Sequence, residues 1–107
     1  MANVYKNAKL DLTTTGVTVL YTAAAAKTAI FKSILVSEDS GNADTITVTI
    51  TDADAAIFSL FKVKAVGANT TVELLTAPLV VETGEIIKVT AATANRLHVV
   101  ASYLEVS

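Results

Sequence analysis

Residues Thr45, Ile46, Thr47, Val48, Thr49, Ile50 and Thr51 alternate polar and apolar side chains without a break. Successive side chains of a strand point to opposite faces, so Ile46, Val48 and Ile50 form one dry face and the threonines form the other. Every residue in the run is β-branched, which suits a pleated, half-buried surface and disfavours a helix. A chain built around this stretch has to supply a sheet for it to join and a second apolar layer to cover its dry face.

The remaining sequence supplies both. Residues 5–13 read as a first strand, with Ala8, Leu10 and Leu12 opposed to Lys9 and Asp11, and residues 17–22 as a second. The alanines at 23–26 favour a helix, but with Lys27 they make a segment too short to hold one, so a loop or a single turn is expected there. Residues 28–37 form the most apolar strand. Its two faces, Ile30, Ile34 and Val36 on one and Ala29, Phe31 and Leu35 on the other, imply cover on both sides. A fifth strand spans 56–66, with Phe58 and Leu60 preceding Lys62 and Lys64 on one face. Further strands are expected at 70–75, 86–91 and 97–106, the last apolar on both faces. Pro78 ends a strand or starts an edge segment at Leu79. Turns rich in Gly, Asn, Asp and Ser separate about eight strands at the spacing of an all-β fold. No repeat or domain boundary appears, so residues 1–107 are expected to form a single antiparallel β-sandwich, jelly-roll-like, with an immunoglobulin-like order as the alternative.

Composition adds a constraint on function. The chain has 107 residues, of which 52% are hydrophobic and 17% charged, a richer apolar share and a poorer charged share than usual. One core of this size cannot cover that much apolar surface, and the surplus is expected to meet other subunits, in a homo-oligomer or on a partner. Eight basic and ten acidic residues, without clusters of one sign, leave no electrostatic footprint for nucleic acid. With no cysteine there is no disulfide, thiolate or zinc knuckle. No apolar run is long enough to cross a membrane and the N-terminal residues do not read as a signal peptide, so a protein made in a cytoplasm is expected. Both chain ends are expected to be held by pairing or by neighbours.

Residues suited to chemistry are few. His98 is the only histidine; on a strand, without a local acidic or second histidine partner, it reads as structural or as an interface residue. Asp52 and Asp54 could hold calcium with Glu38, Asp39 and Asp44 only if two loops converged, and no calcium-loop spacing is present. No serine sits in a Gly-x-Ser-x-Gly elbow and the glycines stand singly at turns, which leaves no nucleophile motif and no phosphate loop. Tyr5, Tyr21, Phe31, Phe58, Phe61 and Tyr103 are more readily core or contact residues than a sugar platform. A non-enzymatic protein without cofactor or metal is expected.

Four stretches together resemble small virion proteins of tailed bacteriophages: the turn at 12–15, the Thr-Ala-Ile-x-Lys-Ser-Ile strand within 28–36, the proline-led segment with a Thr-Gly-acidic turn at 77–89, and the closing strand with Ser102-Tyr103 at 98–104. The alanines at 23–26 depart from the Pro-Gly turn of that pattern. The resemblance implies a structural component of a phage particle. A product of this size without a fibre-like repeat fits a capsid decoration or cement protein, on the outside of the shell, bridging major-capsid subunits; neck, tail or baseplate proteins, and a carbohydrate-binding module at a tail tip, are the alternatives. Its partners would be the phage major capsid protein or other virion proteins. Phe31, Leu35, Phe58, Leu60 and Tyr103 are the expected subunit contacts, because each lies on a strand that reads as apolar on both faces.

Overall fold

The computed structural model describes residues 3–107. Nine antiparallel strands make up the described chain: β1 (Asn3–Asp11), β2 (Thr18–Thr22), β3 (Thr28–Glu38), β4 (Asp44–Thr51), β5 (Ile57–Val66), β6 (Thr71–Glu73), β7 (Leu79–Val81), β8 (Ile86–Ala91) and β9 (Leu97–Val106). They form two sheets. One runs β1-β9-β3-β6, with β7 also paired to β3, and the other runs β2-β8-β4-β5.

The order has a simple origin in the chain. β4 pairs with β5, β3 with β6 and β7, β2 with β8, and β1 with β9, so the chain is a long ribbon doubled back at residues 52–56. Rolling that ribbon brings β9 against β3 and β8 against β4, which closes the two sheets. This is the jelly-roll wrapping, and it excludes the immunoglobulin order. The expected eight strands become nine because the strand expected at 70–75 and the segment after Pro78 occupy one lane: β6 pairs with Leu35–Ser37 and β7 with Ala29–Phe31 of β3.

The alternating stretch behaves as its pattern requires. Ile46 and Val48 are fully buried and Ile50 packs against the core, facing Ala91, Val89 and Ile87 of β8 in register. The strands with two apolar faces do not. In β3 the register against β9 slips at Lys32, where Phe31 pairs with Tyr103 and Ser33 with Ser102. This β-bulge adds one residue and inverts the alternation. Ala29 and Phe31 point inward before it; Ile34, Val36 and Glu38 point inward after it. A single covered face thus uses residues of both parities. The same device seats Leu20 and Tyr21 side by side in the core from β2, and Leu60 and Phe61 from β5. In β9 only Leu97, Val99, Ala101 and Tyr103 are buried, and the opposite face is open.

Buried carboxylates close one end and a backbone-bonded turn the other. Glu38 is buried and accepts hydrogen bonds from the backbone N–H groups of Ser40 (2.8 Å), Gly41 (3.1 Å) and Asn69 (3.0 Å), and from the Ser40 hydroxyl. It fastens the β3–β4 turn to the β5–β6 turn. Asp44, also buried, accepts from Thr93 N–H at 3.1 Å and ties in the β8–β9 turn. At the opposite end the alanine segment is a turn closed by Lys27 N–H to the Ala24 carbonyl (3.1 Å), with Ala26 in the left-handed region at φ 62°. A Cβ there costs about 1–2 kcal/mol, against roughly 0.5–1 kcal/mol for the extra backbone freedom of glycine. Ala26→Gly is therefore expected to raise the melting temperature by about 2–4 °C, read by circular dichroism; an unchanged or lower value would mean that the left-handed turn is not populated.

Candidate functional site

His98 lies on β9 at the end of the sandwich that carries the Glu38 turn. Folding gives it the acidic neighbours that its local sequence lacks: Nε2 is 3.3 Å from Asp11 Oδ1 on β1, and Nδ1 is 3.6 Å from Asp39 Oδ2 beyond β3. The ring and both carboxylates are substantially exposed. A catalytic base needs a proton to take and a dry pocket in which to take it, whereas this cluster sits open to water at the rim of a shallow depression lined by Lys9, Leu10 and Val100. It fastens three strands at their ends.

The acidic turns do not converge. Glu38, Asp39 and Asp44 stand at one end of β4, and Asp52 and Asp54 follow its other end. Eight residues of strand at about 3.3 Å each hold the two groups apart. Asp52 is already used, its Oδ1 accepting from Asp54 N–H and Ala56 N–H at 2.9 Å each. Among the described residues no cluster of histidine and carboxylate side chains could hold a metal ion.

Electrostatics at Glu38 follow from its donors. Burial alone would raise the carboxyl, but the hydroxyl of Ser40 and the three backbone N–H groups outweigh it and hold the pKa at about 2, against an ordinary 4.5. A second polar group lies under the aromatic core. Tyr21 Oη donates to Glu105 Oε2 (2.9 Å), and Lys6 Nζ donates to Glu105 Oε1 (3.0 Å). Burial, then the bond to Glu105, pushes the Tyr21 phenol upward, while Lys6 and then Tyr21 hold the Glu105 carboxyl below its usual range.

The expected contact residues divide. Phe31 is wholly buried and Tyr103 nearly so. They stack on each other with ring centroids 4.8 Å apart, and Tyr21 meets Phe31 edge-on at 5.2 Å and Tyr103 at 4.7 Å. Both are removed from the contact surface, because the bulge at Lys32 turns Phe31 to the side on which Tyr103 already lies. The three rings are the aromatic centre of the core. Leu35, by the same inversion, faces out and is 37% exposed; Phe58 is 55% exposed. Leu60 is half-buried and lines an open apolar groove of about 260 Å³ with Phe61, Leu74, Leu75, Pro78 and Leu79, between β5 and the β6–β7 connection.

Sequence alternation missed an apolar row on the larger sheet. Tyr5 (76% exposed), Leu104, Ile30 and Val80 (51% exposed) are consecutive partners across β1, β9, β3 and β7. They form one continuous row on the outer face of the larger sheet. A second row, Lys9, Val100, Leu35 and Glu73, crosses β1, β9, β3 and β6, and a polar row with Asn7, Ser102 and Ser33 lies between them. Only strand pairing puts these residues side by side. On β5, Ile57, Phe58 and Val63 are exposed. That strand is the edge of the smaller sheet, carries Lys62 and Lys64, and is bulged twice. At one bulge Val63 has φ 51°, its N–H bonded to Thr47 Oγ1 at 3.0 Å. Bulges and lysines blunt an edge against strand addition, so β5 offers side chains more readily than backbone.

No family model matches the chain, and no curated protein does. A solved structure entitled "Structure of infectious bursal disease virus Gt strain" aligns with a TM-score of 0.47 and 9% sequence identity, covering 98% of this chain and 30% of that one. The chain therefore spans under a third of the length of the structure it resembles. At that score and identity the likeness bears on neither activity nor partner.

Two outcomes check this geometry. Glu38 has a folded pKa below its unfolded value, so its stabilisation is complete above about pH 4.5 and is lost as pH falls towards about 2; urea melts across that window should show the loss, and Glu38→Gln should flatten it. Phe31→Ala should lower stability by about 3–5 kcal/mol, whereas Phe58→Ala should change it by about 1 kcal/mol or less. Equal losses at the two sites would contradict the burial described here.

Proposed function

We propose that the chain is a structural protein of a bacteriophage particle, and within the particle a decoration or cement protein that seats on the outer shell and bridges neighbouring major-capsid subunits. The resemblance of four sequence stretches to phage virion proteins supports the particle. The observation that carries the adhesive role is the exposure of large apolar side chains on two separate parts of a small, tightly clasped sandwich: the rows on the larger sheet, and Ile57, Phe58 and Val63 on β5 beside the Leu60 groove. Scattered apolar residues are ordinary on a surface, but contiguous ones mark contact sites.

The mechanism is attachment by a preformed surface. Docking a rigid sandwich orders few residues, so little conformational entropy opposes binding. Weak contacts repeated at many symmetric positions accumulate avidity. In this reading Phe58, Leu60 and the groove face the shell, and the protein is located on the capsid exterior after synthesis in the host cytoplasm. The tail-tip sugar reading is the weaker one, because the exposed rings of Tyr5 and Phe58 stand on strands at opposite edges of the fold and build no common platform.

Electron microscopy of native particles tests the assignment directly, with many copies on the shell expected. The double variant Ile57→Ser and Phe58→Ser should keep its melting temperature within a few degrees and lower shell occupancy at least tenfold. Full occupancy by that variant, or density only at the neck or tail, would overturn the shell assignment.

A further inference from the structure

We propose that the open edge of β1 pairs antiparallel with β1 of a second copy, joining two larger sheets into one continuous sheet across a two-fold axis at Asn7. This inference does not depend on the virion reading.

Among the described residues the two sheets have four edge lanes, and three of them are spoiled for strand addition. β2 has five residues and a bulge at Leu20, and β5 is bulged twice. The remaining lane consists of two three-residue strands, β6 and β7, with Pro78 between them. Short, bulged or proline-broken edges protect a sheet against pairing with another chain. β1 has none of these devices: its nine residues pair with β9 in unbroken register.

That register fixes which backbone groups are open. Leu12 N–H donates to the Leu97 carbonyl (3.0 Å), one pair beyond Asp11 and His98. In an antiparallel ladder, pairs that exchange hydrogen bonds alternate with pairs that do not. Val4, Lys6, Ala8 and Leu10 therefore use their N–H and C=O groups on β9. Asn3, Tyr5, Asn7, Lys9 and Asp11 aim theirs at the open edge, where only the Asp11 carbonyl is taken, by Thr13 N–H at 3.0 Å. Such an edge is completed by an extended backbone with the same alternation.

β1 of a second copy supplies that alternation, and its side chains select one register. With Asn7 opposite Asn7, the whole of Asn3–Asp11 is paired. On the outer face Tyr5 then lies opposite Lys9, a cation beside an aromatic ring, and Asn3 lies opposite Asp11, an amide donor beside a carboxylate. On the inner face Lys6 lies opposite Ala8, and Val4, 45% exposed in the single chain, gains cover from Leu10. The two Lys6 residues are diagonal neighbours there, but each Nζ turns away from the axis to Glu105 on β9, at 3.0 Å. The other registers fare worse. Moving the axis to residue 6 sets Lys6 against Lys6, and moving it to residue 9 sets Lys9 against Lys9, like charges directly opposed. An axis at residue 8 pairs only residues 5–11, and one at residue 5 only residues 3–7. Length and charge together select Asn7.

Sedimentation equilibrium of the full chain should show the 11.1 kDa mass doubling as concentration rises, over about 1 µM to about 1 mM, the range of a small interface. Amide hydrogen exchange should show the N–H groups of Tyr5, Asn7 and Lys9 open at the low end and protected at the high end. Those of Lys6, Ala8 and Leu10 should be protected at both. Asn7→Pro removes an edge-facing donor and leaves the ladder to β9 whole, so it should stay folded in thermal melts and weaken association at least about 100-fold. Tyr5→Lys, which sets lysine against Lys9 on both sides of the axis, should weaken it about tenfold. Adding Lys9→Glu to that variant restores opposite charges across the axis and should recover most of the loss. A monomer over the whole range, edge amides that exchange equally fast at both concentrations, or undiminished association of Asn7→Pro protein would overturn the proposal. So would protection of these amides only on assembled particles, which would assign the edge to a strand of another protein.

Discussion

The bulge at Lys32 is the constraint on which the rest of the molecule depends. β3 is the central lane of the larger sheet, paired to β9 on one side and to β6 and β7 on the other. An uninterrupted strand would bury either Phe31 or Ile34 and turn the other to solvent. One extra residue lets both face the second sheet, where Phe31 stacks on Tyr103 and Ile34 sits wholly buried. The same extra residue turns Leu35 outward, so the core and the exposed row on the far face arise from a single local irregularity.

Around that lane the fold is held at one end by buried carboxylates and along its length by apolar packing. Glu38 accepts from Asn69 N–H and Asp44 from Thr93 N–H, each donor in a turn distant in sequence, which joins loops that the strands alone would leave independent. These donors are oriented by the fold, so the Glu38 carboxylate meets preformed partners in place of water. A sandwich closed in this way has few residues left to order on binding, and the greasy side chains it leaves outside are presented in fixed positions.

Much of the architecture was legible from the residues. The period-two threonine stretch, the spacing of Gly, Asn and Asp turns and the shortage of helical periodicity together specified an all-β sandwich, and the jelly-roll order agreed with it. The contact residues were read less well. Phe31 and Tyr103 lie on strands that read as apolar on both faces, and only packing decides which face is covered: in β9 it is the regular face of Tyr103, and in β3 the bulge at Lys32 puts Phe31 on the same side. No residue type marks the bulges in β3 and β2: Lys32 and Leu20 are ordinary strand residues. His98 shows the same limit, since its two carboxylate neighbours, on β1 and just after β3, are far away in the chain.

The sequence by itself determined that this chain forms strands, where most of them begin and end, and that its apolar share is high. Those are properties of local periodicity and of composition. Tertiary structure alone decided which apolar residues remain outside and what lies beside them: Tyr5, Ile30, Val80 and Leu104 are scattered along the chain and become one row only through the pairing of four strands. Register is set by the sum of contacts along whole strands, bulges included, and a one-residue slip exchanges the two faces of a sheet. The inventory of the surface was therefore written in the residues, and its pattern in the pairing.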